Sequence, residues 1–390
     1  MNPLFLTATS AVSALGVGGD AHRDALLARR TGLRPNDFDP GVGGWIGRVE
    51  GIEQHALPPD LAGWDCRNNR LADLALRVDG FDHAVAAARD RYGADRIAVI
   101  LGTSTSGILA AEDAYRDRTE AGALPPGFDY SRTQDLYALS GYVRTALGLT
   151  GPAFTISTAC ASSARAFMDA GNLIRAGLCD AAIVGGADSL CRMTLQGFQA
   201  LELISPTPCR PCDANRGGIS VGEAAGFALL EREGSGLALL GAGASSDGHH
   251  MSSPDPDGRG ASAAMREALR AAGLAPGDID WINLHGTGTR ANDAMEDIAV
   301  TSVFGDAVPC SSTKGWTGHT LGACGILETI IAAQCMQGGF IAGCLAVERT
   351  DPAFTAQVAT TTLDRPVRRV VSNSFGFGGI NCSLVLGLLA

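Results

Sequence analysis

Hydrophobic runs of strand length recur along the chain, each closed by small or turn-forming residues. LFLTATSAV comes first, then RIAVILGTST, AFTIST and AAIVGGA, and later GLALLGAG, WINLHGT, VPCSST, RVVSNSF and NCSLVLGLL. Their near-continuous apolar character marks strands covered on both faces. The intervals between them suit crossover helices, so the pattern predicts an α/β protein with mostly buried strands. ASSARAFMDAGNLIRAG, directly after FTIS, is one such helix, built from alanines and helix formers with apolar residues at helical spacing.

The pattern also repeats. STACASSARAFMDAGNLIRAG and SSTKGWTGHTLGACGILETIIAAQC each run from a strand end through a small-residue loop into a helix. They lie at comparable points of two halves, 1–233 and 234–390, which suggests a duplication. The least patterned stretch is 117–132, with Pro125, Pro126 and Gly127, and it reads as a surface excursion.

Composition narrows the function. A 46% hydrophobic, 18% charged chain of 390 residues is a well-buried globular protein. Its net charge of -11 argues against nucleic acid and restricts any acidic partner to a local basic patch. Eleven cysteines, an odd number without a framework, point to a reducing compartment, the cytoplasm. CRPC, Cys209 to Cys212, has half-site spacing but no second pair, so no metal is expected. The opening MNPLFLTATSAVSALGVGG lacks a basic leader and reads as a strand and turn, and no apolar run approaches the roughly 20 residues of a membrane span.

Candidate chemistry begins at Cys160, between the FTIS strand and its helix. Free amides and the helix dipole at such a turn favour a thiolate, whereas a cysteine without that context merely fills space. His285 follows a strand in NLHGTGT, and Lys314 and His319 sit together in SSTKGWTGH. Glycines in GTGT and GFGG mark backbone that must approach something closely.

Cys160 in TACASS, His285 in HGTGT, Lys314 and His319 in STKGWTGH, and the GFGG loop occur in the order of the elongating β-ketoacyl-(acyl carrier protein) synthases, which the chain resembles over nearly its whole length. The resemblance implies a thiolase fold, an αβαβα five-layered sandwich of two similar halves that forms a homodimer or pairs with a related subunit. It implies that Cys160 takes an acyl group from the phosphopantetheine thioester of an acyl carrier protein, with no cofactor of its own. The amides of Cys160 and Phe377 would hold the oxyanion, with Phe375, Gly376 and Gly378 shaping that loop. His285 and His319 would face the malonyl thioester as it loses CO2, and Thr287 and Thr289 would bind the pantetheine arm. Lys314 would be buried against Glu296 and orient His319, while Asp293 reads as a solvated helix-start carboxylate.

Three further expectations concern substrate and partner. Thr105, in TST, is expected to set the bore of an acyl tunnel completed near Phe154 at a dimer contact. Arg67 and Arg70, in CRNNRLADLAL, are expected to receive the acidic carrier. The polar FDYSRTQDLYALSGY and the departure RPCDANRGGISVGEAAG leave fatty acid and polyene or polyketide synthesis both open. A thiolase would carry a second reactive cysteine where GFGG stands, and an initiating synthase an asparagine where His319 stands. A silent chain-length subunit would lack the nucleophile.

Overall fold

The structure, a computed structural model, describes residues 2–389. Five strands make the first sheet: β1 (Leu4–Ser13), β2 (Ile97–Gly102), β3 (Ala153–Ile156), β4 (Ala181–Asp188) and β5 (Ala224–Glu231). Five make the second: β6 (Gly236–Ser246), β7 (Trp281–Asn283), β8 (Cys310–Ser311), β9 (Arg369–Gly376) and β10 (Ile380–Leu389). Their orders are β3-β2-β4-β5-β1 and β8-β7-β9-β10-β6, the same path taken twice. In both, the first three strands of that path are mutually parallel and the last two antiparallel. The duplication suspected from the sequence is therefore a repeat of topology. β1 and β6 join the sheets through Leu4 opposite Leu239 and Phe5 opposite Ala238.

Six helices complete the layers: α1 (Arg67–Leu76), α2 (Ala138–Ala146), α3 (Ser162–Arg175), α4 (Arg259–Ala272), α5 (Arg290–Phe304) and α6 (Cys324–Gly338). Alternation along β2 shows how they stack. Ala98 and Ile100 face a core shared with Phe167 of α3 and Ile326 and Ile330 of α6, whereas Ile97, Val99 and Leu101 face Leu71 of α1 and Leu139 of α2. On the far side, Ile282 and Val371 pack on Met265 of α4 and Val300 of α5. Thus α3 and α6 form the middle layer of an αβαβα sandwich. α6 is buried around nearly its whole circumference, as a central helix must be, and Glu328 is its one charged residue. The two central helices meet at their starts, where a Cβ on Gly325 would lie 2.6 Å from the Ala164 nitrogen. Among the described residues no helix is long and apolar enough to cross a membrane.

Candidate active site

The chain leaves β3 at Ile156 and enters α3 at Ser162. Between them Ala159 adopts a left-handed φ of +49°, a sharp reversal that L residues rarely make, and Ser162 Oγ accepts the Thr158 amide at 2.9 Å to hold the turn. Cys160 is thereby placed at the start of the buried helix, as expected. The backbone N–H groups of Phe377 and of Cys160 itself lie near its sulfur and favour its ionised form. Gly376 makes that approach possible, since a Cβ there would lie 2.9 Å from the Thr158 oxygen and 3.2 Å from the Cys160 nitrogen. The expected depressed thiol pKa is corrected. Burial pushes the Cys160 thiol up to about 11, against the opposing field of Lys314 and the two amides. Loss of water around a thiolate outweighs the helix dipole here.

His319 brings Nε2 to 3.0 Å from Cys160 Sγ, and the rings of His285 and His319 meet edge to face at 5.3 Å. Burial first, and then the Lys314 charge, hold both imidazoles well below their usual pKa, so both are neutral near pH 7. His319 Nδ1 has no hydrogen-bond partner among the described residues.

Lys314 is buried, as expected, but its company differs. Its Nζ lies 2.5 Å from Glu328 Oε1, 2.6 Å from the His285 carbonyl and 3.4 Å from His285 Nδ1. The counter-charge is therefore Glu328 rather than Glu296, and the histidine it touches is His285 rather than His319. Burial opposes the ammonium, yet Glu328 holds its pKa above the usual lysine value. Glu296 instead accepts the amides of His285 at 2.8 Å and Gly286 at 2.7 Å, fixing the backbone that presents His285. Burial, partly offset by those amides, raises the Glu296 carboxyl to about 7. Asp293 is likewise no solvated carboxylate. It is buried and accepts the amides of Cys212 at 2.9 Å and Gly288 at 3.1 Å, because the turn before α5 folds back over it.

Cys160, His285 and His319 open into one cavity of about 450 Å³. Thr287 and Thr289 line it with their hydroxyls 2.9 Å apart, and Phe375, Gly376, Phe377 and Gly378 line it as well. Phe377 is half-exposed and rests edge-on against Phe198 at 5.9 Å. Thr105 is not part of this wall. Its hydroxyl donates to Asp188 at 2.8 Å and its amide at 2.7 Å, and the side chain is buried outside the cavity. Arg67 and Arg70 are not unpaired surface cations: the Arg67 side chain is 8% exposed and pairs with Glu223 at 2.6 Å and with Glu53, and the partly exposed Arg70 pairs with Asp65 at 2.6 Å. Cys209 supports the HGTGT turn by donating to the Thr287 carbonyl at 3.2 Å, and Cys212 packs on Cys344. The ligand atoms of Cys160, His285 and His319 lie within 4.8 Å of one another, close enough to converge on a single bound atom.

Two contributors escaped the sequence reading. Glu328 was visible as the one charged residue of a largely apolar helix, a position that demands a buried partner. Asp188, at the end of β4, gathers donors from Thr103, Ser104 and Thr105 and the Ala323 amide, tying the first half to the start of α6. Nothing in its local sequence announces that role.

Comparison with known proteins follows the same lines. Residues 70–235 match the family described as beta-ketoacyl synthase, N-terminal domain, and residues 237–348 its C-terminal domain. Nodulation protein E of Rhizobium sp. (strain N33) is 36% identical over 359 residues, 88% of each chain. 3-Oxoacyl-[acyl-carrier-protein] synthase 2 of Staphylococcus aureus is 32% identical over 381 residues, 88% of this chain and 94% of that one. A solved ketosynthase in complex with its chain length factor, from Xenorhabdus doucetiae, superposes with a TM-score of 0.92 at 40% identity, over 99% of this chain and 98% of that one. The ishigamide ketosynthase/chain length factor gives 0.91 at 29% identity, each chain fully covered. With relatives matched along nearly the whole chain and family profiles spanning both copies of the duplicated fold, the chain belongs to the β-ketoacyl synthase family.

Proposed function

We propose that this chain is an acyltransferase that joins an acyl group held on Cys160 to malonyl-acyl carrier protein, releasing CO2 and a 3-oxoacyl-acyl carrier protein. The observation that carries the reading is the convergence of one thiol and two neutral imidazoles on a single cavity. In the first half-reaction the Cys160 thiol gives its proton to His319 Nε2 as sulfur attacks the acyl thioester. The amides of Cys160 and Phe377 receive the oxyanion. Collapse breaks the carbon–sulfur bond to the carrier, whose thiolate takes the proton back from His319.

In the second, the malonyl thioester enters and its carbon–carbon bond to the carboxylate breaks, leaving CO2 and an enolate. The Lys314 ammonium, donating toward His285 Nδ1, selects the tautomer with hydrogen on Nε2, a donor for the enolate oxygen. Nothing pins His319 Nδ1, so His319 can accept in one half-reaction and donate in the other. The enolate carbon then attacks the Cys160 thioester, forming the new carbon–carbon bond and expelling the Cys160 thiolate, which takes one proton from solvent to return to the resting thiol. The chemistry asks for no resident cofactor, since the phosphopantetheine arm arrives with the carrier.

The partner is a second, related subunit. β3 is an edge strand with every residue half-buried, a surface suited to pairing with another chain. The relatives at 40% and 29% identity are described with chain length factors, which favours a heterodimer over the homodimer otherwise expected, and a polyketide or polyene product over a fatty acid. Eleven free, buried cysteines support a cytoplasmic location.

The test measures CO2 release from malonyl carrier beside acyl labelling of Cys160. Cys160→Gln keeps decarboxylation and loses condensation. His319→Ala loads acyl groups more slowly, because the thiol loses its proton acceptor, but measurably, while decarboxylation falls roughly 100- to 1,000-fold, the scale of one lost donor. Normal condensation by Cys160→Gln, or wild-type decarboxylation by His319→Ala, overturns the assigned roles.

A further inference from the structure

Arg290 is an exposed guanidinium on the wall of the catalytic cavity, next in sequence to Thr289, and among the described residues it forms no hydrogen bond or ion pair through its side chain. The other arginine of that wall, Arg216, is spent: it is 2% exposed, lies 2.7 Å from Asp351 and faces Asp293 at 3.5 Å. Asp351 feels the Arg290 charge but is already bound to Arg216. Arg290 is also the first residue of α5, where a cation opposes the helix dipole, so its placement is unfavourable unless an anion joins it. Around the same cavity Glu202 and Asp247 present carboxylates, which leaves the Arg290 side as the seat for negative charge.

Resting on the function proposed above, we propose that Arg290 binds the phosphodiester of the phosphopantetheine arm. The arm's only anionic group lies at its carrier end, whereas its thioester must reach Cys160. A cation one residue beyond the paired hydroxyls of Thr287 and Thr289 continues the same wall outward. The guanidinium fork suits two phosphate oxygens at once, and the net charge of -11 makes an unneutralised cation here the local exception that an anion would find.

The probes are two free thioesters with the same acyl group, one on phosphopantetheine and one on pantetheine without the phosphate. The readout is the concentration dependence of Cys160 acylation, followed by intact mass on the full chain with its native partner. Wild type is expected to need about 10-fold less of the phosphorylated probe at low salt, an advantage that shrinks as salt rises. Arg290→Ala removes that advantage by raising the half-saturating concentration for the phosphorylated probe, and Arg290→Lys keeps part of it. Retention of the full preference by Arg290→Ala overturns the inference. So does a defect seen only with carrier-bound acyl groups, which would place the cation on the carrier surface instead. If wild type forms no Cys160 adduct with either probe, the functional reading falls together with this one; adducts formed without any Arg290 effect sink this inference alone.

Discussion

Replacing Glu328 with leucine would leave Lys314 as an unpaired ammonium in the middle layer of the molecule. The two side chains are 1% and 3% exposed and 2.5 Å apart, so water cannot take the place of the lost carboxylate. Breaking such a pair from one side costs about 3–5 kcal/mol, and part of that cost would be met by lysine deprotonation, since burial disfavours its charge. The double variant Lys314→Met with Glu328→Leu removes both charges and should recover most of the loss. Glu296→Gln offers the contrast, because it leaves Lys314 paired with Glu328 and weakens the acceptance of two backbone amides and the Asn373 side-chain amide, about 1–3 kcal/mol. Guanidinium denaturation of wild type, the three single variants Lys314→Met, Glu328→Leu and Glu296→Gln, and the two double variants that pair Lys314→Met with each glutamate change gives the stabilities, and CO2 release gives the chemistry. Stability should return in the double variant while decarboxylation stays low, since nothing then sets the His285 tautomer. If Glu328→Leu cost under about 1 kcal/mol, or if Lys314→Met coupled to Glu296→Gln as strongly as to Glu328→Leu, the ion-pair assignment would be wrong.

Because burial raises the Cys160 thiol to about 11, its alkylation by iodoacetamide should keep accelerating through pH 9; a plateau below pH 8 would restore the preformed thiolate. Both catalytic histidines are held neutral with lowered pKa, so decarboxylation should lose activity only as pH falls below about 6.5, and an acid limb centred above pH 7 would contradict that environment. Thr105→Val should leave the product chain-length profile unchanged and cost about 1–3 kcal/mol, because Asp188 loses a donor; a shifted profile at unchanged stability would return Thr105 to the tunnel.

The layered fold and the three reacting residues were legible because strand-length apolar runs and the motifs around Cys160, His285 and His319 are local signals. The parts that were misjudged depend on contacts made across the fold. Glu296 and Glu328 are both glutamates a few turns beyond one of the reacting histidines, and only the packing of α6 decides which reaches Lys314. Thr105, Arg67 and Asp293 carry polar groups that look available in the sequence, and each is consumed by a partner at least 80 residues away: Asp188, Glu223 and Cys212. The thiol pKa was misjudged for a related reason. A helix start is visible in sequence, but the depth to which it is buried is not.

The repeat of topology has a consequence for how activity can arise at all. The thiol stands at the start of α3 in one copy, His319 just ahead of α6 in the other, and the two helix starts touch, with the Cys324 thiol donating to the Cys160 carbonyl at 3.1 Å and Ser163 Oγ accepting the Ile326 amide at 3.0 Å. Each copy can close its own sheet from its own strands, but neither can assemble a working site. Condensation therefore reports on the mating of the two halves, and a fragment that folded well on its own would be chemically inert until its complement arrived.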